Sequence, residues 1–207
     1  MLINEVNNYC ELSGTVSGGV FFSHEVFGES FMTFPLKVER LSGISDTVNV
    51  IASEKLLCDF PVKEGNKVAV KGQFRSYNNY SGVGNRLVLS AFAKIIEEAE
   101  GNDADINSVT LRGFLCKEPV YRITPFGREI CDILLAVNRI HNKSDYIPCI
   151  AWGKNAKEAS LLKVGDHITV SGRIQSREYK KRLENGETEI KTAFEVSVST
   201  LELSEDK

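Results

Sequence analysis

The sequence repeats itself at a spacing that leaves room for a whole domain. Gly14, Gly28, Val38, Arg40, Asp46, Ala52 and Lys55 recur as Gly113, Gly127, Val137, Arg139, Asp145, Ala151 and Lys154, each 99 positions on. After one inserted residue, Gly65, Val70, Gly72 and Ser76 recur 100 positions on as Gly165, Val170, Gly172 and Ser176. Stacked-repeat architectures use periods of about 20–50 residues, so this register means two complete domains in tandem. Between the copies runs Glu97-Glu-Ala-Glu-Gly-Asn-Asp-Ala-Asp105, charged and nearly devoid of apolar side chains, as an inter-domain linker is. The expected division is a domain over 1–96, an acidic linker over 97–106 and a second domain over 107–207.

Each copy reads as strand-rich with one short helix. In the first, alternation of apolar and polar residues predicts strands near Asn8 to Val16, Phe31 to Arg40, Asp46 to Ala52, Asn66 to Tyr77 and Arg86 to Ile96. A helical turn is expected from Ser53 to Phe60, and its counterpart from Lys154 to Leu162. Five strands with a helix between the third and fourth is the order of an OB-fold, so the expected class is all-β, two tandem five-stranded Greek-key barrels with one short helix each. Asn78 to Asn85 and Lys180 to Gly186 read as the loop between the last two strands.

The chemistry concentrates in the second copy. Period-two alternation puts Tyr146, Pro148, Ile150 and Trp152 on one face of a strand and Ile147, Cys149 and Ala151 on the other. Over His167 to Tyr179, the residues Thr169, Ser171, Arg173, Gln175, Arg177 and Tyr179 share the face opposite Ile168, Val170 and Ile174. Flat rings beside guanidinium groups are what stacking of unpaired bases and retention of their phosphates require, at roughly 1–3 kcal/mol per stacked base. The same rings would also suit a subunit contact, where aromatic side chains are enriched. The first copy keeps Arg40, Lys55, Lys71 and Arg75 and supplies Tyr77 and Tyr80, but carries Thr47 and Ser53 where the second has Tyr146 and Trp152.

Asn107-Ser-Val-Thr-Leu-Arg-Gly, Glu118-Pro119, Arg122-x-Thr-Pro-Phe-Gly127, Leu135-Ala-Val-Asn-Arg139, Ala151-Trp-Gly-Lys-Asn-Ala156, Val164-Gly-Asp166 and Val170-Ser-Gly-Arg-Ile-Gln-Ser-Arg177 follow one another over residues 107–177. In this order and spacing they resemble the bacterial single-stranded DNA-binding protein family. The resemblance implies an OB-fold with single-stranded DNA wrapped over its outer surface. It places Tyr146, Trp152, Tyr179, Arg139, Lys154, Arg173, Arg177, Arg122 and Tyr121 on the expected DNA-binding face. Tyr179 stands where the family commonly carries tryptophan, and Lys180, Lys181 and Arg182 add a short basic run. Family members usually add a long flexible tail with an acidic, apolar tip; this sequence shows none after Leu201, so recruitment of replication or repair proteins by such a tip is not expected. Four barrels per assembly, the family's habit, would here be met by a homodimer.

A formal net charge of −3 hides an uneven distribution. Residues 106 to 182 hold 14 Lys and Arg against 7 Asp and Glu, whereas residues 8 to 95 hold 9 against 8. Local sign governs a ligand held within a Debye length of about 8 Å. The five cysteines are scattered without a Cys-x-x-Cys pair, which supports neither a disulfide framework nor a zinc site and suits small buried hydrophobes in a reducing compartment. No apolar run approaches the roughly 20 residues needed to span a bilayer, and the expected location is the cytoplasm. No cofactor, metal or catalytic residue is expected, and the function implied is sequence-independent binding of single-stranded DNA in replication, recombination or repair. The alternatives are a primosome-like or mobile-element accessory protein working through protein partners, and RNA as the ligand.

Overall fold

The computed structural model describes residues 7–80, 85–99, 104–140, 142–182 and 186–204. Two compact units emerge, one of residues 1–75 and 90–110, the other of residues 76–89 and 111–207. The units divide differently from the sequence at two points: Ser76–Leu89, from the first repeat, groups with the second unit, and residues 107–110, expected in the second domain, group with the first.

The first repeat contains β1 (Asn8–Val16), β2 (Phe21–Val26), β3 (Glu29–Glu39), β4 (Ser45–Ser53), α1 (Glu54–Asp59), β5 (Lys67–Asn78) and β6 (Leu87–Glu98). The second contains β7 (Asn107–Leu115), β8 (Val120–Ile123), β9 (Glu129–Arg139), β10 (Lys143–Trp152), α2 (Lys154–Ala159), β11 (His167–Arg182) and β12 (Thr188–Leu203). Six strands per copy, where the sequence predicts five, arise because the first OB strand is broken: residues 17–20 separate β1 from β2, and residues 116–119 separate β7 from β8. Both pieces pair with the same partner, β1 and β2 with β3, β7 and β8 with β9. The neighbour order β2-β3-β4-β6-β5-β1 closes through β1–β3, and β8-β9-β10-β12-β11-β7 closes through β7–β9. The pairs β4–β6 and β10–β12 within each barrel are parallel, and all of this is the OB barrel in duplicate.

Alternation builds each core. Leu36, Val38, Val48 and Val50 are buried in the first barrel, and Leu135, Val137, Ile147 and Cys149 are their counterparts in the second. Cys10, Cys131 and Cys149 are buried as expected, and burial pushes the Cys10 thiol up to about 12. Cys58, on α1, is exposed instead, because that short helix buries none of its residues. Among the described residues, no cluster of three His, Cys, Asp or Glu could hold a metal, and no helix is long and apolar enough to cross a membrane.

Two corrections concern segments that the sequence predicts to be connecting structure. Lys180 and Arg182 do not sit on a loop tip: β11 and β12 form a hairpin of 16-residue strands whose pairing runs on to Lys180 with Ile190 and Arg182 with Thr188. Residues 183–185 and the Lys181 side chain lie outside the described residues, as do residues 81–84 of the other expected loop. The acidic linker is partly structured, since Glu97 belongs to β6 and Asp105 accepts the Glu39 N–H at 2.8 Å while facing Lys67 at 3.5 Å. Residues 100–103 are outside the description.

The repeated glycines mark where strands press together. A Cβ on Gly172 would lie 2.1 Å from the Ser197 carbonyl oxygen, and one on Gly72 would lie 2.0 Å from that of Phe92. Both neighbours are backbone, which cannot swing aside. Gly172→Ala is expected to cost about 1–3 kcal/mol, the range for overpacking a tight site, read as a lower urea midpoint with an unchanged slope.

Candidate nucleic-acid interface

β10 presents Tyr146 and Trp152 as the alternation requires, while Ile150 on the same predicted face is buried. Antiparallel pairing sets Tyr146 opposite Ala136, Pro148 opposite Leu134, Ile150 opposite Asp132 and Trp152 opposite Ile130. Ile147, Cys149 and Ala151 fill the core from the other face. Tyr146 is 46% exposed and Trp152 36%, so each side chain is open to solvent. Gly153, at φ 53, then turns the chain from β10 into α2.

Across β12, which separates it from β10, β11 supplies the cations in a different form from the one expected. Arg173 is exposed opposite Ser197. Gln175 is buried opposite Glu195, donating to its Oε1 at 2.9 Å, and Arg177 Nε donates to Oε2 at 3.0 Å. Glu195 is only 5% exposed, so a carboxylate from β12 is embedded in the face that alternation along β11 predicts to be cationic. The same Arg177 guanidinium lies over the Tyr179 ring, 5.9 Å from its centroid, within the range of a cation–π contact.

The other predicted cations of this copy also have carboxylate partners. Arg122 pairs with Asp132 at 2.8 Å, and that hydrogen bond raises its pKa. Arg139 lies 3.0 Å from Asp145, whose side chain is fully buried, and Lys154 reaches Glu158 at 3.5 Å while remaining largely in water. Tyr121 donates to Glu129 at 2.7 Å; this bond, with Lys157 at 3.1 Å, holds the Glu129 carboxyl below the usual carboxylate range.

In the first copy Arg40 is bound through two 2.6 Å hydrogen bonds to the buried Asp46, the counterpart of Arg139 and Asp145. Lys71 pairs with Glu97 and faces Glu11 at 3.9 Å, and Lys55 is exposed on α1. Ser53, matching Trp152, caps α1 by accepting the Leu56 N–H at 3.2 Å. Arg75 donates to the Gln73 side-chain oxygen at 2.6 Å and lies 3.8 Å over the Phe92 ring. Phe92 in turn meets Phe31, and Phe31 stacks on His24. No periodicity along one strand reveals this ring set, because its members are spread over three.

Tyr77 and Tyr80 are exposed, the latter 6.0 Å from the Arg86 guanidinium. Both sit on the hairpin end that groups with the second unit, and Ser76 fixes it there. Its N–H donates to Asp145 Oδ1 at 2.6 Å, its Oγ accepts the Tyr146 N–H at 2.7 Å and its carbonyl accepts from Arg139 at 3.4 Å.

A family model, the single-strand binding protein family, matches residues 106–204, the stretch that carries these rings. The second copy thus matches that family over nearly its whole length. Single-stranded DNA-binding protein 2 of Listeria innocua is 40% identical over 82 residues, covering 36% of this chain and 52% of that protein. Single-stranded DNA-binding protein A of Bacillus subtilis is 37% identical over 84 residues, covering 37% and 49%. The chain thus spans about half the length of the curated relatives it matches. The crystal structure of the single-stranded DNA binding protein from Thermus aquaticus covers 97% of this chain and 94% of its own with a TM-score of 0.75 at 22% identity, a likeness of fold.

Within the second copy, Asp145 is the point on which the neighbourhood of Tyr146 turns. Removing a buried partner strands the opposite charge, so Asp145→Ala is expected to cost about 3 kcal/mol, measured by urea unfolding. Part of the Arg139 side chain reaches water, which places the loss at the lower end of that class.

Proposed function

We propose that the chain binds single-stranded DNA without sequence preference and, in the cytoplasm, protects it and removes hairpins during replication, recombination or repair. The observation that carries this is the pair of rings, Tyr146 and Trp152, exposed on one face of β10 in the copy that the family model matches; Arg173, Arg177 and Tyr179 lie on β11, across β12. Bases stack on the rings and phosphates meet the guanidinium groups. A ligand that takes only unpaired strands shifts the melting equilibrium by RT ln(1 + [L]/Kd), which is sufficient for hairpin removal without catalysis. Two barrels per chain would give four in a homodimer, which light scattering with and without a long oligo-dT would size.

Trp152 is the single tryptophan, so its fluorescence reports directly on stacking. Saturation with oligo-dT is expected to quench it; an unquenched signal at saturation would remove the stacking role. Trp152→Ala is expected to weaken binding by roughly 5-fold or more with the salt dependence intact, because stacking releases no counterion. Arg173→Ala is expected to lower both affinity and the salt slope, by about 0.7 for each phosphate that is no longer neutralised.

Glu195 gives an expectation of opposite sign. It holds Arg177 against the sheet, competing with phosphate for the same guanidinium. Glu195→Gln is expected to tighten binding at low salt and steepen the salt slope, measured by the same titration over a series of salt concentrations.

A further inference from the structure

The two copies differ in which strand carries the aromatic residue of one cross-strand pair. In the second copy that pair is Ile130 on β9 and Trp152 on β10; in the first, at the positions 99 residues earlier, it is Phe31 on β3 and Ser53 on β4. The ring is therefore not absent from the first copy. It stands one strand over on the same outer face.

There it is part of a continuous ladder. His24 on β2, opposite Phe31, stacks on it with ring centroids 5.0 Å apart and planes within 11°. Phe31 meets Phe92 on β6 at 5.5 Å, tilted by 41°, and Arg75 on β5 caps Phe92 at 3.8 Å. Phe31 is buried inside the ladder, whereas His24 is exposed and oriented by the Ser23 hydroxyl, 2.9 Å from its Nδ1. Phe21 and Phe22, on the same strand as His24, are 65% and 62% exposed.

We propose that this ladder is a second base-stacking site, taking an unpaired nucleobase on His24 and a phosphate farther along the same strand at Arg75. The inference rests on the reading of the chain as a binder of single-stranded DNA and adds a site to the first copy. A column of flat groups with its end ring open to water is completed by one more flat group, and sequence-tolerant stacking follows because every base has a π face. The guanidinium at the far end supplies a positive charge for a phosphate, a complement that a purely apolar protein partner would leave unmatched. The occupant is therefore nucleic acid.

The test uses the full chain and oligo-dT carrying 5-iododeoxyuridine, photo-crosslinked and mapped by mass spectrometry. Cross-links are expected in the peptide containing His24 or that containing Phe92, in addition to the one containing Trp152. In a Trp152→Ala background, His24→Ala is expected to weaken oligo-dT binding a further 5-fold or so with no change in salt slope, and Arg75→Gln to lower the slope as well. His24 is exposed, so its replacement leaves the barrel core untouched. Cross-links confined to the second copy, with His24→Ala binding like its parent, would overturn this site while leaving the second copy's role standing. Absence of any oligo-dT binding by the unaltered chain would overturn both. Dissociation of a self-associated chain by His24→Ala, with DNA binding unchanged, would reassign the ladder to contact between copies and also overturn it.

Discussion

Closing a barrel this small requires backbone to lie directly on backbone. Gly14 and Gly113 meet the carbonyl oxygens of Lys37 and Ala136, and Gly72 and Gly172 meet those of Phe92 and Ser197, all at distances that exclude any side chain. The curvature these approaches permit separates an inner face, filled by branched apolar residues, from an outer face on which every second residue is available for something else. The rings of β10, the guanidinium groups of β11 and the ladder on the first copy all occupy that outer face.

What the outer face holds is less a field of positive charge than a network of pairs. Arg122, Arg139, Lys154 and Arg177 have carboxylate partners, while Arg173 has none among the described residues. The surplus of Lys and Arg over residues 106–182 therefore overstates the attraction that a phosphate would feel at close range. Paired guanidinium groups are also held in place, so they present fixed directions to a ligand. Their partners range from Asp132, at the water's edge, to Asp145, fully buried, which divides them into pairs a phosphate can compete for and pairs that serve the barrel.

The duplication, the strand order, the short helix and the face shared by Tyr146 and Trp152 are all legible in the sequence, because each is encoded by local periodicity or by a fixed spacing. Partners contributed by another strand are not. Glu195 sits opposite Gln175 through a register that no window along β11 can reveal, and the His24 ladder needs three strands to be assembled before it exists. One structural role does leave a trace. Arg40 with Asp46 and Arg139 with Asp145 recur at the same separation of six residues, and a recurrence of both signs together points to a pair rather than to two ligands. The break between β1 and β2 is invisible in the sequence because a bend at residues 17–20 has no apolar period of its own.

Ser76 spends its amide, hydroxyl and carbonyl on Asp145, Tyr146 and Arg139, and so stitches a piece of the first repeat into the second unit. Scissors applied at the acidic seam would sever that stitch, leaving the Tyr146 amide without the Ser76 hydroxyl and Asp145 Oδ1 without the Ser76 amide that now answers it. Where the duplication ends and where an autonomously folding piece ends are thus two different places in this chain, and a half cut out by the first rule would carry an open wound beside Tyr146.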